Sequence, residues 1–60
     1  MNAKVGDTIR IDYMDGEPNY FGKVGVIERI DDIGQLHGTW GGCAVIPGVD
    51  GFTVINESND

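Results

Sequence analysis

Hydrophobic and polar residues alternate with a period of two along most of this chain. From Thr8 to Tyr13, Ile9, Ile11 and Tyr13 fall on one face and Arg10 and Asp12 on the other, the pattern of a half-buried strand. A second run, Lys23 to Ile30, carries Val24, Val26, Ile27 and Ile30. Its alternation breaks at Val26-Ile27, which predicts a bulge or strong bend near Gly25. A third run, Gln35 to Trp40, sets Leu36, Gly38 and Trp40 against His37 and Thr39, so Trp40 is expected to point inward. Cys43 to Ile46 and Phe52 to Ile55 complete a set of five short runs.

Turn chemistry separates the runs. Asp15-Gly16 and Pro18-Asn19 punctuate a long first loop, Met14 to Phe21. Asp31-Asp32-Ile33-Gly34 reads as a hairpin in which aspartate side chains accept backbone amides and Gly34 takes positive φ. Gly41-Gly42 is the tightest turn signal, and Pro47 to Gly51 reads as a turn or a single 3₁₀ turn. No window holds a period near 3.6, and ten glycines depress helix propensity throughout. The expected elements are strands near residues 5–14, 22–31, 35–40, 43–46 and 52–55, closed into a small all-β, five-stranded SH3-like antiparallel barrel. Residues 1–55 form its single domain, and residues 56–60 read as a flexible acidic tail. The expected core is Ile9, Ile11, Ile27, Ile30, Leu36, Trp40, Val45 and Phe52.

Two stretches resemble known motifs. Gly22-Lys23-Val24-Gly25-Val26-Ile27-Glu28-Arg29-Ile30 resembles the KOW motif, and Val5-Gly6-Asp7-Thr8-Ile9-Arg10-Ile11 resembles the G-D-x-V-x-I entry strand of KOW and other SH3-like barrels. Further on, Asp31-Asp32-Ile33-Gly34-Gln35-Leu36-His37, Trp40, Ile46-Pro47-Gly48-Val49-Asp50 and Phe52 resemble a bacterial domain-of-unknown-function family of small SH3-like proteins. Its pattern is D-D-x-G-x-[IL]-H-V-x-W followed by L-I-P-G-x-D-x-F, and its members turn up in bacteria, phages and conjugative elements. The likeness runs from about Val5 to Ile55. It implies an SH3-like, KOW-like fold and brings no catalytic residue. The chain departs from the pattern twice. Gly38 replaces a valine, as if a core side chain were missing, and Gly41-Gly42 replaces a loop that usually carries Asp or Asn.

Composition narrows the function classes. With 60 residues there is room for one small domain and a thin core. Four Lys and Arg against ten Asp and Glu give a net charge of −6, which speaks against a basic nucleic-acid footprint. A single cysteine forms no internal disulfide and suits a reducing, cytoplasmic setting. The opening residues from Met1 lack the apolar core of a secretory signal, and Cys43 to Ile46 is too short an apolar run to span a membrane.

Catalysis is not expected. Nucleophilic chemistry needs a base within reach of the nucleophile, and the predicted strands put Cys43 inside and His37 outside. One Cys and one His make half a structural zinc site. Asp12, Asp15 and Glu17 show no calcium-loop spacing, and Asp31 and Asp32 read as turn residues. No cofactor or metal is expected. Arg10, Lys23 and Arg29 could face phosphates with Tyr13 or Tyr20 for stacking, but Asp12, Glu28 and the acidic first loop lie beside them. The remaining lead is that loop. The sequence reading is a non-enzymatic interaction module that binds a basic or proline-rich segment of a protein partner through Tyr13, Asp15, Glu17, Tyr20 and Phe21, with His37 nearby. The alternatives are an acidic decoy of nucleic acid that blocks a DNA- or RNA-binding protein, and a KOW-like RNA or ribosome binder.

Overall fold

A computed structural model describes residues 3–59; Met1, Asn2 and Asp60, which belong to the expected N-terminal segment and acidic tail, lie outside the described residues. Five strands form: β1 (Thr8–Tyr13), β2 (Val24–Ile30), β3 (Leu36–Gly38), β4 (Gly41–Val45) and β5 (Gly51–Asn56). One 3₁₀ turn, Pro18–Tyr20, sits in the first loop. All pairings are antiparallel and the order is β4-β3-β2-β1-β5. This is an all-β, SH3-like arrangement. The middle strand β2 belongs to two ladders, pairing with β1 through Val24 to Val26 and with β3 through Ile27 to Ile30. That sharing bends the sheet around a single core.

Ile9, Ile11, Met14, Ile27, Leu36, Trp40 and Val45 form the buried core, with Tyr20, Cys43, Phe52 and Val54 packed against it. Six of the eight expected core residues are therefore buried. Phe52 is half-buried, covering the core from β5 opposite Ile11. Ile30 is 37% exposed: it is the last residue of β2, beside the hairpin turn at the edge of the core. Tyr13 and Met14 exchange the expected faces. A register shift between Ile11 and Tyr13 inserts a bulge in β1, which turns Tyr13 out and Met14 in.

The bulge expected near Gly25 is not at that residue, beside which β2 passes from the β1 ladder to the β3 ladder. There β2 alternates without interruption, Gly25 and Ile27 inside and Val24 and Val26 outside. The irregularity falls later, between Ile27 and Arg29. Gly25 faces inward because Thr39 and Trp40 lie on it: a Cβ there would come within 2.9 Å of the Trp40 backbone nitrogen. Cutting Ile27 back to alanine removes a fully buried side chain at the junction of both ladders and is expected to cost about 2–4 kcal/mol. Urea unfolding measures it; an unchanged midpoint would mean that Ile27 is not in the core.

Asp31 builds the β2–β3 hairpin as expected. Its Oδ1 accepts the amides of Ile33 at 3.1 Å and Gln35 at 2.9 Å, and the Gly34 amide bonds the Asp31 carbonyl at 3.0 Å. Gly34 has φ +84° with open space around it. A β-branched residue there meets only backbone strain, so Gly34→Val is expected to cost more than about 1 kcal/mol; thermal melting that matches the parent protein would refute this. The Gly41-Gly42 turn is not formed. Both residues begin β4, and the reversal is made by Thr39 and Trp40, closed by the pair Gly38↔Gly41. Of the expected tail, Asn56 ends β5, and the Ser58 amide donates to Asp7 Oδ1 at 2.7 Å.

Candidate functional site

The first loop leaves β1 at the bulge and returns to β2 through the 3₁₀ turn. Its entrance is fixed by Asp50, a buried aspartate in the β4–β5 connection. Asp50 Oδ1 accepts the Asp15 amide at 3.0 Å and Oδ2 the Ile46 amide at 2.8 Å. Its exit is fixed by the ladder-like bonds Gly22 N–H to Ile11 O, 2.7 Å, and Ile11 N–H to Lys23 O, 2.8 Å. Glu17 precedes Pro18, whose ring suits the first position of the turn. The loop is thus held at both ends by groups outside it.

Those anchors bring Tyr13, Asp15 and Phe21 together. The Tyr13 and Phe21 rings lie 5.3 Å apart between centroids, tilted by 39°, inside the favourable range for an aromatic pair. They are 46% and 45% exposed. The Tyr13 hydroxyl donates to Asp15 Oδ1 at 3.1 Å. That bond, with the charge of Asp15 behind it and of Asp50 farther off, holds the Tyr13 hydroxyl above its ordinary value of 10.0. Asp15→Asn is expected to bring Tyr13 ionisation back down while leaving Tyr20 where it is; tyrosinate absorbance and ring-resonance titrations separate the two. A Tyr13 curve that does not move would refute the pairing.

Tyr20 belongs to a different neighbourhood. It is half-buried against the core, its hydroxyl close to where a Cβ on Gly41 would stand, 2.7 Å. Hydrogen bonding to Cys43 and burial raise its pKa. Lys23 Nζ lies 5.1 Å from its ring centroid and donates to the Trp40 carbonyl at 3.2 Å. Glu17 is exposed at the rim of the loop. His37 is engaged elsewhere: its Nε2 is 2.8 Å from Asp31 Oδ2, in the β2–β3 hairpin. Asp31 is held below its ordinary value chiefly by that bond. Of the six candidates, three meet in one exposed patch, Glu17 is exposed in the same loop with its charge felt at Tyr20, Tyr20 backs the loop from inside, and His37 stabilises a hairpin.

Two further residues outside the candidate set matter here. Asp50 orients the loop. Asp12, expected beside a basic face, binds that face's arginine: Arg10 Nε donates to Asp12 Oδ1 at 2.7 Å and the Thr53 hydroxyl to Oδ2 at 2.6 Å, which lowers the Asp12 pKa, the Thr53 bond first. The only sequence signal for Asp50 is its place in the Ile46 to Phe52 segment that carries the family likeness. Among the described residues no group of three metal-ligating side chains comes together, and no helix is long and apolar enough to cross a membrane. No protein-family model, curated protein or solved structure matches the chain.

Proposed function

We propose that this protein belongs to the small SH3-like, KOW-like family its sequence resembles, and that it is a non-enzymatic binding module for a basic or proline-rich segment of a protein partner. The observation that carries this reading is the exposed Tyr13–Phe21 ring pair with its hydroxyl on Asp15. Exposed aromatic rings grip proline rings and cationic side chains alike. Asp15 and the rim residue Glu17 add attraction for basic chains, acting mainly on association rate and its salt dependence, while the rings set dissociation. Tyr20 supports the loop from behind. The single, half-buried thiol of Cys43 suits a cytoplasmic setting.

The disposition of cations favours a protein partner over nucleic acid. Lys4 is paired with Asp7 at 2.9 Å and Arg10 with Asp12, and Lys23 caps a carbonyl and the Tyr20 ring. Among the described residues Arg29 alone of the four Lys and Arg side chains has no such partner, too few for a phosphate track.

Selection from a random peptide display library tests the reading. The protein is expected to enrich basic or proline-containing peptides, and these are expected to lose binding to a folded Phe21→Ala variant and to Asp15→Lys/Glu17→Lys. Peptides that bind all these variants as well as the parent would move the site off the loop. Failure to enrich any peptide, with salt-sensitive retention of RNA that Arg29→Glu abolishes, would replace this reading with RNA binding.

A further inference from the structure

Among the described residues three of the four Lys and Arg side chains meet an anion or a ring. Lys4 sits on Asp7 and Arg10 on Asp12, at 2.9 and 2.7 Å. Lys23 lies over the Tyr20 ring. The Tyr13–Phe21 pair is the exception. Its two rings are as exposed as any aromatic surface in the protein, a carboxylate is hydrogen-bonded at their edge, and among the described residues no Lys or Arg lies over either ring. Among the described residues Asp15 accepts only the Tyr13 hydroxyl, through Oδ1, and Oδ2 is left to solvent. Its position is nonetheless set, because its amide is held by Asp50. Glu28 and Asp32 are also exposed and without a cation, but neither has a ring contact.

We infer that the patch formed by Tyr13, Phe21 and Asp15 takes the guanidinium group of an arginine in a partner peptide, stacked on the rings and hydrogen-bonded to Asp15. This rests on the binding function proposed above and narrows it to one side chain. The argument for arginine over lysine is physical. A guanidinium is planar, so one face lies on a ring while its edge donates to a carboxylate. An ammonium can also face a ring and donate to an oxygen, as Lys23 does here, but it has no flat face to stack and offers no two parallel donors to a carboxylate. The guanidinium is also weakly hydrated, and at a patch left nearly half open to water a strongly hydrated ammonium loses little by staying in solvent. A proline ring would fill the apolar surface but offer no donor to Asp15.

The test uses the full chain and capped heptapeptides with a central residue flanked by two prolines on each side, read by amide chemical shifts. The arginine peptide is expected to shift Tyr13, Asp15 and Phe21 and to bind about threefold to tenfold more tightly than the lysine peptide. The citrulline peptide keeps the planar shape and loses the charge; it is expected to bind about tenfold more weakly. Asp15→Asn, which keeps shape and fold, is expected to remove most of the arginine preference, and added salt to weaken the arginine peptide. Equal binding of arginine and lysine peptides at these residues would overturn the guanidinium assignment while leaving a basic-segment module. Equal binding of all three would overturn it and leave a proline-recognising module. Tighter binding of a trimethyl-lysine peptide would assign the patch to a quaternary ammonium instead. Absence of shifts in the loop with every peptide would overturn both this assignment and the function it rests on.

Discussion

Gly38→Val is expected to leave the protein largely unfolded at 25 °C. Gly38 pairs with Ile27 on one side and Gly41 on the other, and the Trp40 ring folds back across it. A Cβ at this position would collide with that ring and with the Val26 carbonyl oxygen. The ring is buried in the core, and the carbonyl accepts the Thr39 amide at 3.1 Å. The overpacking therefore falls at or above the upper end of its usual range, about 3 kcal/mol. A domain of this size has roughly 3–5 kcal/mol in all. Urea denaturation and one-dimensional NMR dispersion report the loss. On the sequence alone Gly38 reads as a missing core side chain; in the structure the space is already filled by Trp40. A Gly38→Val protein as stable as the parent would mean that the tryptophan does not lie on Gly38.

Trp40→Ala is expected to cost about 3–5 kcal/mol, comparable to the whole stability. Trp40 is 3% exposed, and its Nε1–H donates to the Cys43 carbonyl at 2.7 Å. Truncation opens a cavity and leaves that carbonyl without its donor. It also removes the ring from Gly38, while the Val26 carbonyl stays against that position. In a background where the protein is kept folded by osmolyte, Gly38→Ala should be less damaging without Trp40 than with it, a coupling that a double-mutant cycle reads directly. Additive effects of the two substitutions would refute the contact.

The strand pattern was legible where one face of a run is apolar and the other charged. Ile9, Arg10, Ile11 and Asp12 leave no choice of face, and β1 forms there. It failed two residues later, because Tyr13 and Met14 are both apolar and a one-residue bulge leaves no mark on a hydrophobicity pattern. In β2 the apolar neighbours Val26 and Ile27 suggest a break, yet the alternation holds through Ile27 and the irregularity comes after it: Val26 simply faces solvent, and the inward place before Ile27 belongs to a glycine. The Gly41-Gly42 turn was misplaced for a related reason. Glycine marks a turn when it needs backbone freedom, but at Gly41 it also makes room for the Tyr20 hydroxyl. The Asp31–Gly34 hairpin was read correctly because all its determinants are local. The patch of Tyr13, Asp15 and Phe21 was legible as a loop of acids and aromatics. Which aromatics faced out depended on the bulge and on Asp50, contacts that join residues 35 apart in sequence.

Asp7 is fully buried and gathers both ends of the described chain. It accepts the Lys4 amide and ammonium and the Ser58 amide. Beyond it, β1 and β5 run antiparallel from the pair Thr8↔Asn56. A force applied between the two ends meets this carboxylate first. It then pulls at right angles to the strands, so the ladder opens one pair at a time, like a zipper, and never bears the load along its whole length. Joined into a string by its ends, this domain is a weak mechanical link whose yield point is set by one aspartate.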